Sequence, residues 1–419
     1  MFNKFCVNFG MERLEVIERE TCGLHSSIRR TLFCSRVMGL LPLSGLTRDT
    51  SDKLRFTLGS PYTIYYAITL FGQVLMFLTT CCYLAQNGIS LSNATNSIFY
   101  TSSLLSSLIL MNIGRFWPML VMSAEAIESK LPLFNRNIDM TTTVTTVFIL
   151  VAAAVEHILS MIYGLAVAHS CDSNNVAESY FKFNMPWIFD YTPFSMWKGI
   201  LSEIFNIQST FIWSYNDLLI MVISIYLTEH FLVHNELLKK AIEQKNFACV
   251  EFRTQYLKIV HLVKLVNKQF GIYIVASFAS NLYWICTQLF YSLSRTQTGH
   301  FITCKLKDPE GSKALHGVEH SIYFTYSFSF LVTRTLLVLL LAARIHSNAL
   351  VPLYMLHDLP SSKFDIEVER FIAQIKNIKV AMSGLDFFFV TRTMILTVSL
   401  NIQRYFLPQT SFYLQNQNK

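Results

Sequence analysis

Residues 210–231 read TFIWSYNDLLIMVISIYLTEHF, a mainly apolar run that Asp217 interrupts near its middle. A helix that crosses the hydrocarbon core of a bilayer needs about 20 residues of this kind. The whole chain shares this character, because 52% of its 419 residues are hydrophobic and only 15% are charged. Its mean hydropathy is +0.38. A chain of this size and composition is too apolar for a soluble protein, and we expect a polytopic membrane protein.

Apolar segments of spanning length recur along the sequence. We predict spans at 62–85, 98–122, 141–169, 203–232, 269–293, 319–343 and 385–414. This pattern predicts an all-α membrane protein with seven transmembrane helices, of which the first six lie within residues 62–343. The remaining units are an N-terminal segment 1–61, a connecting segment 344–384 and a tail 415–419.

Positive charge sets the expected orientation. If the N-terminus is cytosolic, the inner segments hold 23 of the 34 lysines and arginines, while the outer loops hold six. This distribution satisfies the positive-inside rule, and an odd number of spans then places the C-terminus outside the cell. The N-terminal segment lacks a charged start followed by a clean apolar core, so a cleaved signal peptide is not expected. The sequon NAT predicts a glycosylation site at Asn93, in the first outer loop.

The sequence offers no chemistry for an enzyme. It contains no phosphate-binding loop, no nucleophile elbow and no cysteine pairs with metal-ligand spacing, so we expect no catalytic residues, metal or cofactor. The net charge of +7 lies in the inner segments and needs no nucleic-acid partner. Cys171 and Cys304 fall in different outer loops, where they either form a disulfide or remain two thiols. A G-protein-coupled receptor is the less favoured alternative, because its N-terminus lies outside the cell.

Two inner segments have apolar residues at helical spacing. Residues 233–268 are expected to continue the fourth and fifth spans as helices into the cytosol. Residues 364–383 form a second amphipathic stretch. Both segments are compatible with helices that lie on the membrane surface and with a packed cytosolic bundle that holds subunits together.

Three stretches carry a resemblance to a known family. They are GLLPLSGLTRDTSDKLRFTLGSPYTIYY at 39–66, the apolar run at 210–231, and LPSSKFDIEVERFIAQIKNIKVAMSGLDFFFVTR at 359–392. In this order on seven spans, they resemble insect gustatory receptors, and among these the sugar-receptor branch. The resemblance extends from about Phe33 to Val398.

The resemblance implies both a fold and a function. Receptors of this kind are similar to insect odorant receptors, in which four subunits surround one pore. It implies a ligand-gated, non-selective cation channel in the plasma membrane of a sensory neuron, with a small carbohydrate as ligand and other gustatory receptor subunits as partners. Segment 344–384 would form the anchor between subunits, and the last helix would line the pore. A non-conducting or modulatory subunit of a heteromeric receptor, and a receptor for other tastants, stay open as alternatives.

The resemblance also implies roles for individual residues in the anchor and in the bend into the pore helix. These residues are Arg370, Phe371, Gly384, Phe387, Phe388, Thr391 and Arg392.

A sugar site needs carboxylates and amides for the hydroxyl groups and aromatic faces for the C–H surface. The outer halves of the predicted spans supply both kinds of side chain. The candidate ligand-binding residues are Glu156, His157, Trp213, Asp217, Asn281, Trp284, Gln288 and Tyr326. Among them, Glu156, Trp284 and Gln288 are the contacts that we favour.

Several of these candidates have a structural alternative. An unpaired carboxylate in lipid costs about 2.5 kcal/mol or more, so Glu156 and Asp217 either have a positively charged partner or face a wet pocket. The expected partners are Arg115 and His157. Asp217 is also compatible with a purely structural role. His157 could instead be a hydrogen-bond partner between helices, and Tyr326 could anchor its helix at the membrane interface.

The last span departs from the family pattern. Gustatory receptors typically end in a motif like TY.....QF, and an ungapped alignment from Thr391 places Arg404 on its threonine. The predicted pore-lining residues are Asn401, Arg404, Tyr405, Pro408, Ser411 and Phe412. In a tetramer Arg404 would form a ring of four positive charges, which opposes cations. An altered final exon is the alternative explanation of residues 399–419.

Overall fold

The computed structural model describes residues 23–46, 51–134, 138–244, 247–295 and 318–394. Within these residues the protein is built from helices and two short antiparallel strand pairs, which agrees with the predicted all-α class. The six predicted pore-lining residues, from Asn401 to Phe412, lie outside the described residues, as does Cys304.

Within the described residues six long helices form the bundle, and each is long and apolar enough to cross a membrane. They are α2 (Pro61–Asn87), α3 (Leu91–Glu128), α4 (Ile138–Cys171), α7 (Met196–Glu243), α8 (Cys249–Arg295) and α9 (Val318–Ala349). Each contains one of the first six predicted spans, so these six predictions are confirmed as helices. The seventh predicted span lies largely outside the described residues.

Shorter elements connect and cover the long helices. The helices are α1 (Leu24–Val37), α5 (Val176–Asn184), α6 (Pro186–Phe189), α10 (Val351–His357) and α11 (Ile366–Asn377), with 3-10 turns at Ser51–Lys53 and Ser361–Lys363. The strand pairs are β1 (Leu43–Ser44) with β2 (Arg55–Phe56), and β3 (Ser383–Gly384) with β4 (Phe388–Phe389). α1 belongs to the predicted N-terminal segment and packs against α4 and α7.

α7 is the central helix of the bundle. In its most apolar window 89% of the residues are buried, against 22% for α4 and 28% for α2. It packs against α9, α4 and α8. A helix that is surrounded by protein has no polar face, which explains the uninterrupted apolar run from Leu218 to Ile223.

The two ends of the bundle differ in their charge. At the first end α3, α7 and α9 finish and α4 and α8 begin, and lysines such as Lys130, Lys239 and Lys258 lie there. We call it the basic end, and the opposite end, where α3 begins, the Asn93 end. α5 and α6 lie at the Asn93 end, and α5 approaches α7 so closely that a Cβ on Gly199 would lie 2.6 Å from the Phe181 ring.

α7 and α8 continue past the bundle at the basic end. They contain 48 and 47 residues, which corresponds to about 70 Å of helix against a hydrocarbon core of about 30 Å. α11 packs on this extension with its buried face, and the ring of Phe371 lies 5.5 Å from the ring of Tyr256. Arg253 on α8 pairs with Glu367 on α11 at 3.1 Å. The extension and α11 therefore form a packed bundle within the chain. That this bundle is cytosolic and holds subunits together stays a prediction.

The predicted start of the seventh helix at residue 385 is wrong. Residues 383–389 form a hairpin, and the next helical residue is Arg392. Leu385 and Asp386 have φ angles of 53° and 60°, a left-handed conformation that a right-handed helix does not contain. Asp386 stabilises this turn, because its backbone N–H donates to the hydroxyl of Ser383 at 2.8 Å.

α8 holds the hairpin in place. The side-chain amide of Asn267 donates to the carbonyl of Ala381 at 2.8 Å and accepts from the backbone N–H of Ser383 at 3.2 Å. Gly384 is required at the contact, because a Cβ there would lie 2.5 Å from the ring of Phe388. The predicted bend before the last helix is thus a hairpin that is fixed to the fifth span.

Candidate functional site

The eight predicted ligand-binding residues lie on four helices that meet at the centre of the bundle. Two come from α4 (Glu156, His157), two from α7 (Trp213, Asp217), three from α8 (Asn281, Trp284, Gln288) and one from α9 (Tyr326). The α4 pair is near the middle of its helix, and the others are in the halves nearer to the Asn93 end. The predicted residues are therefore brought to the same level of the bundle.

A buried ion pair joins α7 to α9 at this level. Asp217 and Arg334 are 1% and 0% exposed, and the Arg334 Nε lies 2.7 Å from Oδ2 of Asp217. The carboxylate also accepts from the Asn281 amide at 2.8 and 3.0 Å and from the Ser277 hydroxyl. The guanidinium in turn donates to Ser214 at 2.8 Å. Both oxygens of Asp217 are occupied, which favours the structural role for this residue and for Asn281.

Among the described residues, neither expected partner forms an ion pair with Glu156 or Asp217. Arg115 is exposed on α3, where its guanidinium lies 5.7 Å from the centre of the Phe116 ring. His157 lies 3.4 Å from Glu203 instead. The signal for the true partner was present, because Arg334 is a lone arginine within a predicted span, and such a charge is expected to face a buried acid.

A second polar network joins α4, α8 and α9. Glu156 is 5% exposed, and its Oε1 accepts from the hydroxyl of Ser327 at 2.6 Å. Ser327 in turn accepts from the Gln288 amide at 3.1 Å. Arg334 and, to a smaller extent, His157 also act electrostatically on Glu156. Glu156 and Gln288, two of the three favoured contacts, thus belong to one network, which Ser327 completes.

Two tryptophans lie beside these networks. The indole rings of Trp213 and Trp284 are 5.4 Å apart and inclined at 45°. The guanidinium of Arg334 lies 4.3 Å from the Trp213 ring centre, which is a cation–π contact. Phe99 of α3 touches Trp284 edge to face at 6.0 Å. The aromatic surface that a sugar ring needs is therefore present next to the polar side chains.

His157 and Tyr326 make contacts between helices. His157 on α4 faces Glu203 on α7, and the hydroxyl of Tyr326 on α9 donates to the carbonyl of Ala152 on α4 at 3.0 Å. These contacts correspond to the structural alternative for His157, and they give Tyr326 a role in helix packing.

Several buried polar atoms around the networks have no hydrogen-bond partner among the described residues. The acceptors are Glu156 Oε2 and Gln288 Oε1, and the donors are Trp213 Nε1, Trp284 Nε1 and Arg334 Nη2. Each buried polar atom that stays unpaired costs about 1–3 kcal/mol. A molecule that both donates and accepts hydrogen bonds, such as a polyol, would satisfy these atoms.

Comparison with known proteins assigns the family. Residues 11–417 match the Trehalose receptor family. The chain belongs to the trehalose receptor family. The gustatory receptor for sugar taste 64f of Drosophila melanogaster is 28% identical over 400 residues, which cover 94% of this chain and 81% of the relative. Gustatory receptor 5a for trehalose from the same species is 27% identical over 400 residues, which cover 93% of this chain and 85% of the relative. These matches confirm the predicted sugar branch of insect gustatory receptors, which are receptors and not enzymes.

The fold of this gustatory receptor has a counterpart among solved structures. The insect olfactory receptor OR5 from Machilis hrabei superposes with a TM-score of 0.62, covering 91% of this chain and 97% of the other. The structure of the same receptor in complex with eugenol superposes with a TM-score of 0.60. Because sequence identity is 14% in both cases, the likeness shows a shared fold alone.

Two further predicted sites of the gustatory receptor lie at the Asn93 end. Asn93 is in the first turn of α3, where its side chain donates to the carbonyl of Gly88 at 3.2 Å. Cys171, the last residue of α4, is disulfide-bonded, and its partner is outside the described residues. The pairing with Cys304 stays a prediction.

Proposed function

We propose that this gustatory receptor is a subunit of a sugar-gated, non-selective cation channel in the plasma membrane of a sensory neuron. The observation that carries the proposal is the set of unpaired buried polar atoms on Glu156, Gln288 and Trp284, in a protein whose relatives are named as sugar receptors. Its likeness to an insect olfactory receptor fold supports the same architecture. The carbohydrate would enter from the Asn93 end.

In the proposed site each contact has a defined chemical role. The free carboxylate oxygen of Glu156 accepts from sugar hydroxyls, and the Gln288 amide oxygen accepts from a further hydroxyl. The Trp284 ring packs on the C–H face of the sugar, and its indole N–H donates. Asp217 and Asn281 position the surrounding helices, because the Asn281 amide binds Asp217 and Asp217 pairs with Arg334.

Binding would act on the channel through α9. A ligand opens a channel only if it binds the open state more tightly than the closed state. A hydroxyl that binds the free oxygen of Glu156 shares the carboxylate with Ser327 of α9, whose hydroxyl binds the other oxygen, and so acts on the contact that connects α4 to α9. We propose that the resulting shift of α9 reaches the segment 344–384 and the hairpin before the pore helix.

The proposed topology has seven spans, a cytosolic N-terminus and an extracellular C-terminus. The basic end, with its packed extension of α7, α8 and α11, would face the cytosol, in agreement with the positive-inside rule. Asn93 would then lie outside the cell.

We expect Asn93 to carry a glycan in insect cells. Asn93→Gln should increase the gel mobility of the protein by one glycan, and N-glycosidase should have the same effect on the wild type. Cytosolic accessibility of an epitope at the N-terminus provides the control. An unmodified Asn93 together with an external N-terminal epitope would establish the topology of a G-protein-coupled receptor.

A modulatory subunit is the second candidate function. The feature that favours it is Arg404, which replaces the threonine of the family motif at a position predicted to line the pore. Mixed assemblies with other gustatory receptor subunits would dilute its charge.

Sugar-evoked currents test the binding site. Glu156→Gln should reduce sensitivity to the activating sugar by about tenfold or more, because a hydrogen bond to a charged group contributes about 1.5–3 kcal/mol. Trp284→Ala should also reduce it, because it removes the ring that packs on the sugar together with its N–H donor. The measurement is the whole-cell dose response of cells that express the protein, alone and with a second sugar-type subunit, to mono- and disaccharides.

Phe290→Ala is the matched control for these variants, because Phe290 lies on α8 but is 54% exposed. It should leave the dose response unchanged. Surface biotinylation separates a binding defect from a folding defect. A wild-type dose response in both site variants, at normal surface expression, would refute the assignment of the site.

A further inference from the structure

A cavity of about 420 Å³ lies between α4, α7 and α9 in the half of the bundle nearer to the basic end. Its wall comes from residues 138–149 of α4, from residues 221–232 of α7 and from residues 337–344 of α9. None of the eight predicted ligand-binding residues lines it, so it is separate from the proposed sugar site. Its volume is that of a small-molecule site, since such sites measure about 300–1,000 Å³.

The wall of the cavity is mainly apolar along its whole length. Phe148, Met221 and Leu337 line the part nearer to the middle of the bundle, and Ile138 and Leu232 line the part nearer to the basic end. A molecule that fills this space therefore meets apolar side chains at both of its ends. This arrangement favours an apolar body over a molecule with a large polar headgroup.

Two charged side chains also reach the wall, but neither offers a free buried charge to a ligand. Glu229 already has an interaction partner, and Arg344 is exposed to solvent. A charged group that left water for the interior of this cavity would therefore find no free buried countercharge among the described residues. The occupant that fits the wall is uncharged.

One buried hydroxyl in the wall is available to a ligand. Thr228 is 3% exposed, and its Oγ1 has no hydrogen-bond partner among the described residues. The neighbouring hydroxyl of Thr145, by contrast, already donates to the carbonyl of Thr141 at 2.9 Å. A buried hydroxyl without a partner is unfavourable, and a ligand with one hydroxyl group of its own would satisfy it.

The cavity borders on the outer surface of the bundle. Val144 and Phe148, which line it, are 57% and 59% exposed and lie on a helix that can span a membrane. Exposed apolar side chains of such a helix face the lipid chains, which are equally apolar. A molecule that is dissolved in the bilayer can therefore enter the cavity sideways.

We propose that this cavity binds one membrane sterol from the leaflet at the basic end. The sterol hydroxyl bonds to Oγ1 of Thr228, and the fused rings lie along α7 as far as Met221, two turns or about 10 Å away. The aliphatic tail passes Phe148 into the bilayer. A sterol combines a rigid apolar body with a single hydroxyl group. An acyl chain has no group for Thr228, whereas a sugar or a phospholipid headgroup would bury polar groups without partners.

Photolabelling of the full chain in lipid nanodiscs tests the proposal. The probe is cholesterol with a diazirine on its ring system, and labelled peptides are identified by mass spectrometry. We expect label on the cavity segments of α4, α7 and α9 to exceed label on the exposed face of α2 around Ile68. Unlabelled cholesterol should compete. Epicholesterol, whose hydroxyl has the opposite configuration, should compete poorly, and so should palmitate.

Variants of the wall sharpen this test. Thr228→Val keeps nearly the same shape but removes the hydroxyl, and it should reduce cavity labelling by about fivefold, the effect of one neutral hydrogen bond. Thr228→Ser should retain labelling. Thr145→Val is the matched control in the same wall, because its hydroxyl is already bonded, and it should leave labelling unchanged. Ile225→Trp fills the cavity and should also reduce labelling.

Thermal unfolding in detergent separates loss of binding from loss of folding. Without sterol, Thr228→Val should unfold at the wild-type temperature or above it, because it removes a buried hydroxyl that lacks a partner. Added cholesterol should raise the unfolding temperature of the wild type more than that of Thr228→Val, since a ligand stabilises the folded state that binds it.

Four results would overturn the proposal. Equal label on all exposed helix faces would show only the sterol of the surrounding bilayer. Equal labelling of Thr228→Val and the wild type would show that the hydroxyl is not recognised. Stronger competition by palmitate than by cholesterol would show a carboxylate ligand. Unchanged labelling in Ile225→Trp would place the sterol elsewhere. None of these results depends on sugar-evoked current, so they leave the proposed function to its own test.

Discussion

Arg334→Leu is expected to prevent most of the protein from reaching the cell surface. The substitution leaves Asp217 as a buried carboxylate without its cationic partner, and removal of one partner of a buried ion pair typically costs about 3–5 kcal/mol. Whole proteins are stable by only about 5–15 kcal/mol. The measurement is surface biotinylation, together with the thermal unfolding of detergent-solubilised protein.

A double variant separates the charge from the packing. Asp217→Asn removes the negative charge but keeps an amide that can bind Ser277 and Asn281. Arg334→Leu with Asp217→Asn should therefore recover much of the surface expression that Arg334→Leu loses. Arg115→Leu, which removes an exposed arginine on α3, should have no effect. Normal surface expression and thermal stability of Arg334→Leu would show that the ion pair does not hold α7 to α9.

The ion pair also explains why the proposed site is arranged on these four helices. Arg334 touches Asp217, Ser214 and the ring of Trp213, so a single side chain of α9 fixes the orientation of one turn of α7. Trp213 then packs against Trp284, which is a proposed sugar contact. A change in the position of α9 would therefore change the positions of Trp213 and Trp284 at the proposed site. By thermodynamic linkage, ligand binding at the site would in turn change the position of α9.

The first six spans could be predicted from the sequence because helix length and hydropathy are local properties. Each of these six spans lies inside a helix, and the predicted helical continuation of the fourth and fifth spans is present as well, because α7 continues to Glu243 and α8 begins at Cys249. The hairpin at 383–389 could not be predicted in this way. Its apolar run FFFV is compatible with the start of a span, and the side chain that holds it, Asn267, is more than 100 residues away.

The sequence predicts which residue types form the candidate site, but it does not predict which of these residues pair with each other. The sequence favours Glu156 and Gln288 because a sugar site needs carboxylates and amides. The structure places both side chains in one network. Which acid pairs with which base depends on how the helices pack, and this is not a local property. The two carboxylates and the arginine could therefore be read from the sequence as costly charges in spans, while the pairing of Asp217 with Arg334 required the structure.

Arg404→Thr should increase the sugar-evoked current of cells that express this chain alone by about tenfold or more. The reasoning rests on the proposed tetramer, in which four guanidinium groups would line one ring of the pore. Two unit charges 4 Å apart interact by about 1 kcal/mol even in water, so four like charges oppose a passing cation several-fold more strongly. A tenfold change in rate corresponds to only about 1.4 kcal/mol.

The matched control is Arg404→Lys, which keeps the positive charge and should leave the homomeric current small. Co-expression of the wild-type chain with a second sugar-type subunit should also give larger currents, because mixed assemblies carry fewer arginines in the ring. Surface biotinylation corrects each current for the amount of protein. If Arg404→Thr and Arg404→Lys conduct equally, the charge at this position does not limit cation flow. In that case the last helix must turn Arg404 away from the ion path.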